Sequence, residues 1–373
     1  MRWPELISDR LAGIRAGGRW RTIRTVDDGP VTSVVEATGQ AVTGFASNDY
    51  LGLSHHPAVI AAAREEIASS GTGSGAARLI VGGRPVHDRL ESAIAEWQHR
   101  QAALLFGTGY QANLGVLGAL SAAAGPDCVI LSDELNHASI IDGARLARAS
   151  VRVYRHGDVS QVRELVADAG GAPVVVVTDA VFSMDGDLAP IDELRHLCEV
   201  TDSLLVVDEA HAVLGAGDPG PDAVVIGTLS KTLGSVGGFM AGSEDMIALC
   251  RNTARSFIFT TANAPGDSAA ALAALTVLRS EEGGALVARL RANVERLRPG
   301  HASPIVAVLL GDEARAVEVA DSLLGRGLLV PAIRPPTVAP GTCRLRIALS
   351  AVHTPEQIDQ LIEALEELGF NDG

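Results

Sequence analysis

Lysine is all but missing from this chain. Lys231, in the stretch GTLSKTLGSVGG, is the single lysine of 373 residues, and every other one of the 30 Lys and Arg positions is arginine. A guanidinium stays protonated in proteins, whereas a buried or crowded amine can lose its proton and become a nucleophile. Lys231 therefore reads either as a Schiff-base former or as the remnant of an arginine-biased surface, and its context must decide. Cysteine is scarce as well. Cys128, Cys198, Cys250 and Cys343 lie far apart with no C-x-x-C pair, which argues against a disulfide framework or a metal site and fits reduced, buried thiols. Positive charge is in deficit: the formal net charge of -15 speaks against nucleic acid or an anionic membrane as the main partner. Long hydrophobic runs are absent too, so no bilayer span is expected. The opening MRWPELISDRLAGIRAGGRWR has no apolar signal core. The cytoplasm is the expected location.

Hydrophobic residues make up 47% of the chain and charged ones 20%, enough to bury a large core. Short β-branched runs recur: DCVILSD, VRVYRH, APVVVVTDAVF, SLLVVDEAH, AVVIGTLSK and GGFMAG. Helix-like segments separate them, which predicts βα units around a mostly parallel sheet covered on both faces. After about residue 276 the pattern changes to amphipathic helices around PIVAVLLG and CRLRIALS. The expected organisation is an N-terminal segment of helix and hairpin over 1–45, a large α/β domain over 46–275 and a small α+β domain over 276–373.

Polar residues cluster where three successive runs end. Asp179 and Ser183 follow one run, Asp208 and His211 the next, and Thr228, Ser230 and Lys231 a third. Ligands of open parallel sheets bind beyond the carboxyl ends of the strands. Asp208 alone would read as a helix cap; placed with the others, it reads as part of a site. An amine nucleophile, a carboxylate and a hydroxyl cluster meet the needs of pyridoxal 5'-phosphate. Gly107, Thr108, Gly109 and Tyr110, between an apolar run and an apparent helix, would offer backbone N–H groups to its phosphate. His137 in DELNHASIIDG is a flat side chain suited to the ring face, although alone it reads as a helix-start or core histidine. A nucleotide phosphate loop needs glycines before the lysine, whereas here Ser230 precedes Lys231 and the glycines follow it. The Gly-rich GTGSGAARLIVGG, at 71 to 83, follows no strand, so it reads as a close-packed loop near the site.

Seven stretches carry a family resemblance: SNDYLGLSHHP, FGTGYQAN, NHASIIDG, VFSMDGDLAPI, VVDEAH, TLSKTLG and RPPTVAPGTCRLRIALSA. In this order they resemble the α-oxoamine synthases, a family of fold-type-I pyridoxal-phosphate transferases, over nearly the whole chain. The resemblance implies that Lys231 bonds the cofactor aldehyde, Asp208 pairs with the pyridinium nitrogen, His211 hydrogen-bonds the ring oxygen and His137 stacks on the ring. It further implies Ser183 and Thr228 as cofactor ligands, with Gly109 and Tyr110 near the phosphate. Asn48 and Arg346 would bind substrate, Arg346 through the amino acid's carboxylate, although taken alone it reads rather as an exposed strand arginine of the small domain. Thr337 would reach the partner's site in a homodimer with shared active sites. Arg21, within the basic group Arg10, Arg15, Arg19, Arg21 and Arg24, would face the acyl substrate; a solvated helix face explains most of these arginines equally well. Departures from the family pattern occur at HAVLGAG after VVDE and at GAARLIVGG, and Asp179 stands where a longer glutamate occurs in some members. The implied reaction is a decarboxylative condensation of L-alanine with a pimeloyl thioester, carried by coenzyme A or acyl carrier protein. Glycine with a shorter acyl-CoA is the alternative. Lys231→Arg is expected to leave a folded chain with no detectable thiol release, since a guanidinium keeps the charge but loses the nucleophile; circular dichroism and a thiol assay check this.

Overall fold

The computed structural model describes residues 2–27, 29 and 31–370. A seven-stranded sheet forms its centre, in the order Ala102–Phe106, Gly238–Gly242, Val224–Thr228, Leu204–Asp208, Val174–Asp179, Val129–Asp133 and Ser150–Tyr154. The last five strands of this order run parallel. Gly238–Gly242 runs antiparallel to both of its neighbours. Side chains alternate between the two faces of a strand, and here both faces are covered. Val175 and Val177 join a core with Val116, Leu117, Val206 and Ile226. Val174 and Val176 join one with Leu131, Ile191, Leu194 and Val207 on the other face. Double coverage is why VVVVTD, buried throughout, reads as a continuous apolar run.

The N-terminal segment holds the helix Trp3–Ala16 and a hairpin of Thr32–Val35 with Gln40–Gly44. Leu328–Leu329 adds to that hairpin in parallel, so the N-terminal hairpin shares one small sheet with a strand from the C-terminal part of the chain. Near the C-terminus, Ile305–Gly311, Cys343–Ala348 and Ala332–Ile333 form a second antiparallel sheet. The helices Glu281–Leu297, Glu313–Gly325 and Pro355–Glu367 belong to this part of the chain. A single apolar core runs from Phe45, Tyr50 and Leu53 through Leu105, Val225 and Phe239 to Leu345, Ile347, Leu349 and Leu361. At about 25 cal/mol per Å² of apolar surface removed from water, so continuous a core holds the C-terminal sheet against the central one. All four cysteines are free and buried. Among the described residues no helix is long and apolar enough to cross a membrane.

The turn after Val174–Asp179 packs against the C-terminal sheet at Gly186. Its φ is +80°, and a Cβ there would sit 1.9 Å from the Ile305 carbonyl oxygen. Gly186→Ala therefore combines left-handed strain with a backbone clash, for an expected loss of at least about 2 kcal/mol. A denaturant midpoint lowered at unchanged slope checks it.

Candidate active site

Register brings the site together. Asp179 pairs with Asp208 across neighbouring parallel strands, and Asp208 pairs with Ile226, two residues before Thr228. A cavity of about 150 Å³ opens at this sheet edge, walled by Thr108, Gly109, Tyr110, His137, Ser139, Asp179, Asp208, Ala210, His211, Thr228, Ser230 and Lys231. Seven of the residues expected from the sequence, Lys231, Asp208, His137, His211, Thr228, Gly109 and Tyr110, thus share one small space.

The two carboxylates are buried, at 3% exposure for Asp179 and 5% for Asp208. Burial and the neighbouring Asp208 charge push Asp179 well above the usual carboxylate range. Its Oδ2 accepts from the His137 backbone N–H at 2.6 Å, and its own N–H donates to Asn136 Oδ1 at 2.9 Å. Asp208 is held differently. Asn113 Nδ2 donates to its Oδ2 at 2.7 Å, and the Ala210 N–H donates to its Oδ1 at 3.0 Å. Burial lowers the Lys231 amine from its ordinary value, opposed by Asp208 and Asp179 and assisted by Arg346. Burial, with the positive charges of Lys231 and Arg346, also keeps the His211 imidazole well below its usual range. His211 is therefore a neutral ring.

His137 caps the helix Ala138–Leu146: its Nδ1 accepts from the Ser139 N–H at 3.2 Å. Its ring meets Tyr110 edge-on, with centroids 6.5 Å apart. The helix-start reading and the site reading are both satisfied, because this helix starts at the cavity. Tyr110 and Gly109 open the helix Gly109–Ala124, which is capped by Thr108 and has no acidic residue in its first turn. Gly238 permits the close approach there, since a Cβ on it would lie 2.4 Å from the Gly109 nitrogen. Thr228 Oγ1 lies 2.7 Å from Ser230 Oγ and donates to the Gly237 carbonyl. A helix start free of acidic residues and the Ser230 hydroxyl beside Thr228 can donate to a phosphate. Asp208, buried and held by two neutral amide donors, is the carboxylate that could accept from a cationic N–H. The residues present thus fit pyridoxal phosphate at both of its ends.

Arg346 is buried at 5% exposure, which corrects the reading of an exposed strand arginine. Its Nε donates to the Ser183 carbonyl and its Nη2 to Asn48 Oδ1 at 3.0 Å. Ser183 contributes a backbone carbonyl here and is not among the cavity's walls. Arg21 and Thr337 line a different cleft of about 390 Å³, with Trp20, Arg24, Asp321 and Arg334. Within one chain they do not meet Lys231. The Gly-rich stretch 71–83 is close-packed, with Ser74 Oγ donating to the Asn263 carbonyl and a Gly82 Cβ excluded by the Ala76 oxygen, yet it does not wall the cavity.

Sequence reasoning gave no role to Asn113 or Tyr50. Asn113 is fully buried within the apolar face of Ala112, Val116 and Leu117, and its Oδ1 has no hydrogen-bond partner among the described residues. A polar residue inside an apolar helical stripe was the available signal.

These features define a lysine- and carboxylate-centred α/β enzyme site. The Aminotransferase class I and II family profile matches residues 40–365, and the chain belongs to that family. Among its relatives is an 8-amino-7-oxononanoate synthase from Anaeromyxobacter dehalogenans, 47% identical over 96% of this chain and 94% of that protein. The fold is similar to that of a serine palmitoyltransferase from S. paucimobilis with bound PLP, at TM-score 0.89 and 29% identity over 98% of this chain and 96% of the other. It is also similar to an 8-amino-7-oxononanoate synthase from Francisella tularensis, at TM-score 0.74 and 26% identity over 88% and 98% of the two chains.

The turn bearing Ser183 is clamped by a charge cluster outside the cavity. His156 lies 3.1 Å from Asp133 Oδ1 and 2.6 Å from Asp187 Oδ2, and its ring packs edge-on against Phe182. Hydrogen bonds to Asp133 and Asp187 raise it to about 10. Its folded value lies above an unfolded value of about 6.5. The stabilisation is therefore complete below about pH 6.5 and lost as pH rises through about 10. His156→Asn is expected to cost on the order of 1 kcal/mol more at neutral pH than well above pH 10, given partial solvent screening; melting temperatures across that range check this.

Proposed function

We propose that this chain is an 8-amino-7-oxononanoate synthase, a pyridoxal-phosphate acyltransferase of biotin biosynthesis. It condenses L-alanine with a pimeloyl thioester of coenzyme A or acyl carrier protein and releases carbon dioxide and the free thiol. The observation that carries the reading is the meeting of the chain's only lysine with Asp208, His137 and His211 in one cavity. The sequence relatives support this substrate pair over that of the serine palmitoyltransferases, because 47% identity outweighs 29% at similar coverage.

Pyridoxal phosphate, when bound, supplies an aldehyde carbon for an amine and a ring that takes up the electron pair left at the amino acid's Cα. Lys231 is the amine. Burial lowers its pKa from the ordinary value, which favours the free amine that would bond the aldehyde and would take the Cα proton at Nζ. Asp208, oriented by Asn113 and the Ala210 N–H, would face the ring nitrogen and accept its N–H. The Gly109 and Tyr110 end of the helix, with Thr228 and Ser230, receives the phosphate. His137 covers the ring face and donates to the acyl carbonyl, while Arg346, with Asn48, receives the amino acid's carboxylate.

Two further assignments belong to this reading. The enzyme is a homodimer: Leu79, Ile80, Val81 and Phe259 expose 48%, 74%, 71% and 71% of their surface, an apolar face that a second copy would bury. Thr337 and Arg21, remote from Lys231 in one chain, then serve the partner's site. The compartment is the cytoplasm, in keeping with four free thiols.

Borohydride treatment of the cofactor-loaded chain should trap the cofactor on Lys231, read by peptide mass. Alanine with pimeloyl-CoA should release thiol at least about tenfold faster than glycine with acetyl-CoA, one missing methyl being worth about that factor. A label elsewhere on the chain overturns the site; a preference for glycine overturns the substrate.

A further inference from the structure

Tyr50 is fully buried and lies in the segment after the N-terminal hairpin. Its hydroxyl is 2.5 Å from His211 Nδ1 and 3.2 Å from Asn48 Oδ1. That Asn48 oxygen already accepts from Arg346 Nη2. A phenol has one proton to give; the Arg346 guanidinium, which donates to Asn48 Oδ1 and whose charge also faces the phenol oxygen, serves that side, and the shorter contact, to a ring nitrogen with no other donor among the described residues, takes the proton. Burial pushes the Tyr50 phenol up to about 12, so the proton is present at neutral pH. The ring opposite is neutral, for the reasons of burial and nearby positive charge given above. A neutral imidazole that accepts at Nδ1 carries its hydrogen at Nε2.

We infer that Tyr50 is a positioning residue whose hydroxyl locks His211 into the Nε2–H tautomer, so that His211 offers the cavity a hydrogen-bond donor and not a lone pair. The opposite arrangement, with Nδ1–H donating to Tyr50 and Tyr50 to Asn48, would turn a bare Nε2 toward the cavity. An acceptor there would repel an oxygen substituent on a bound ring. Tyr50 also joins the two ends of the site, because Asn48 links it to Arg346. The inference rests on the pyridoxal-phosphate reading for its consequence, though the tautomer itself is a property of the chain.

Tyr50→Phe removes the donor and keeps the buried ring. In the full chain labelled with ¹⁵N-histidine, with His211→Asn used to assign the signal, His211 should be protonated at Nε2 near neutral pH, with and without the cofactor. In Tyr50→Phe the ratio of Nε2–H to Nδ1–H should fall by about tenfold, the effect of losing one hydrogen bond. The loaded variant should bind the cofactor more weakly, with the thioester KM unchanged. A parent ring protonated at Nδ1, or a folded variant with the parental tautomer ratio, overturns the inference. The parent measurement decides even where the variant does not fold. Failure of borohydride to label Lys231 would instead overturn the cofactor reading and leave the tautomer result standing.

Discussion

The parallel pairing of Asp179 with Asp208 is the constraint on which the site depends. Register in a sheet moves side chains in steps of one residue from face to face. A slip of one position would therefore send one carboxylate into the opposite apolar core, so the buried faces of both strands defend the alignment. Two acids held side by side out of water cannot share the same ionisation at low cost. Asp179, raised well above the carboxylate range, gives way, and it spends its oxygen on the backbone of His137. Asp208 instead accepts from two neutral amide donors. One register thus divides two similar residues into a support and a reagent.

Around this pair each polar group is assigned by what its neighbour leaves available. Asn113 and the Ala210 N–H orient Asp208 from behind. Lys231, lowered by burial, sits among groups of both signs. His211 stays neutral because burial and two cations disfavour its proton. The result is a lysine that can act as a base, beside a histidine that can serve only as a hydrogen-bonding ring. Acid–base and positioning duties are separated by environment, as a site working near neutral pH requires.

The turn 182–188 carries this order to the C-terminal sheet. One side of it is tied to the central sheet through His156, Asp187 and Phe182. Its other side meets Arg344 at Asp185 and Arg346 at the Ser183 carbonyl. Arg346 thus takes its position from both sheets, and the amino acid's carboxylate and the cofactor ring would be held in one frame of reference.

Much of this was legible in the chain itself. The β-branched runs announced a doubly covered parallel sheet because strands buried on both faces must be apolar throughout. The polar residues ending three of those runs announced the site because open sheets bind ligands at that edge, and the solitary Lys231 announced the chemistry because no other side chain here supplies an amine. Contacts between distant segments were not legible. The sequence carries no sign that Tyr50 would meet His211 across 161 positions, or that Arg346 would be buried against Ser183 and Asn48, because a polar residue's partner is chosen by packing. Residue type and spacing determined which groups are available and at which edge they gather. Tertiary structure alone decided which carboxylate is pushed above its usual range and which histidine meets a buried phenol, since both follow from burial and from the geometry of neighbours that only folding supplies.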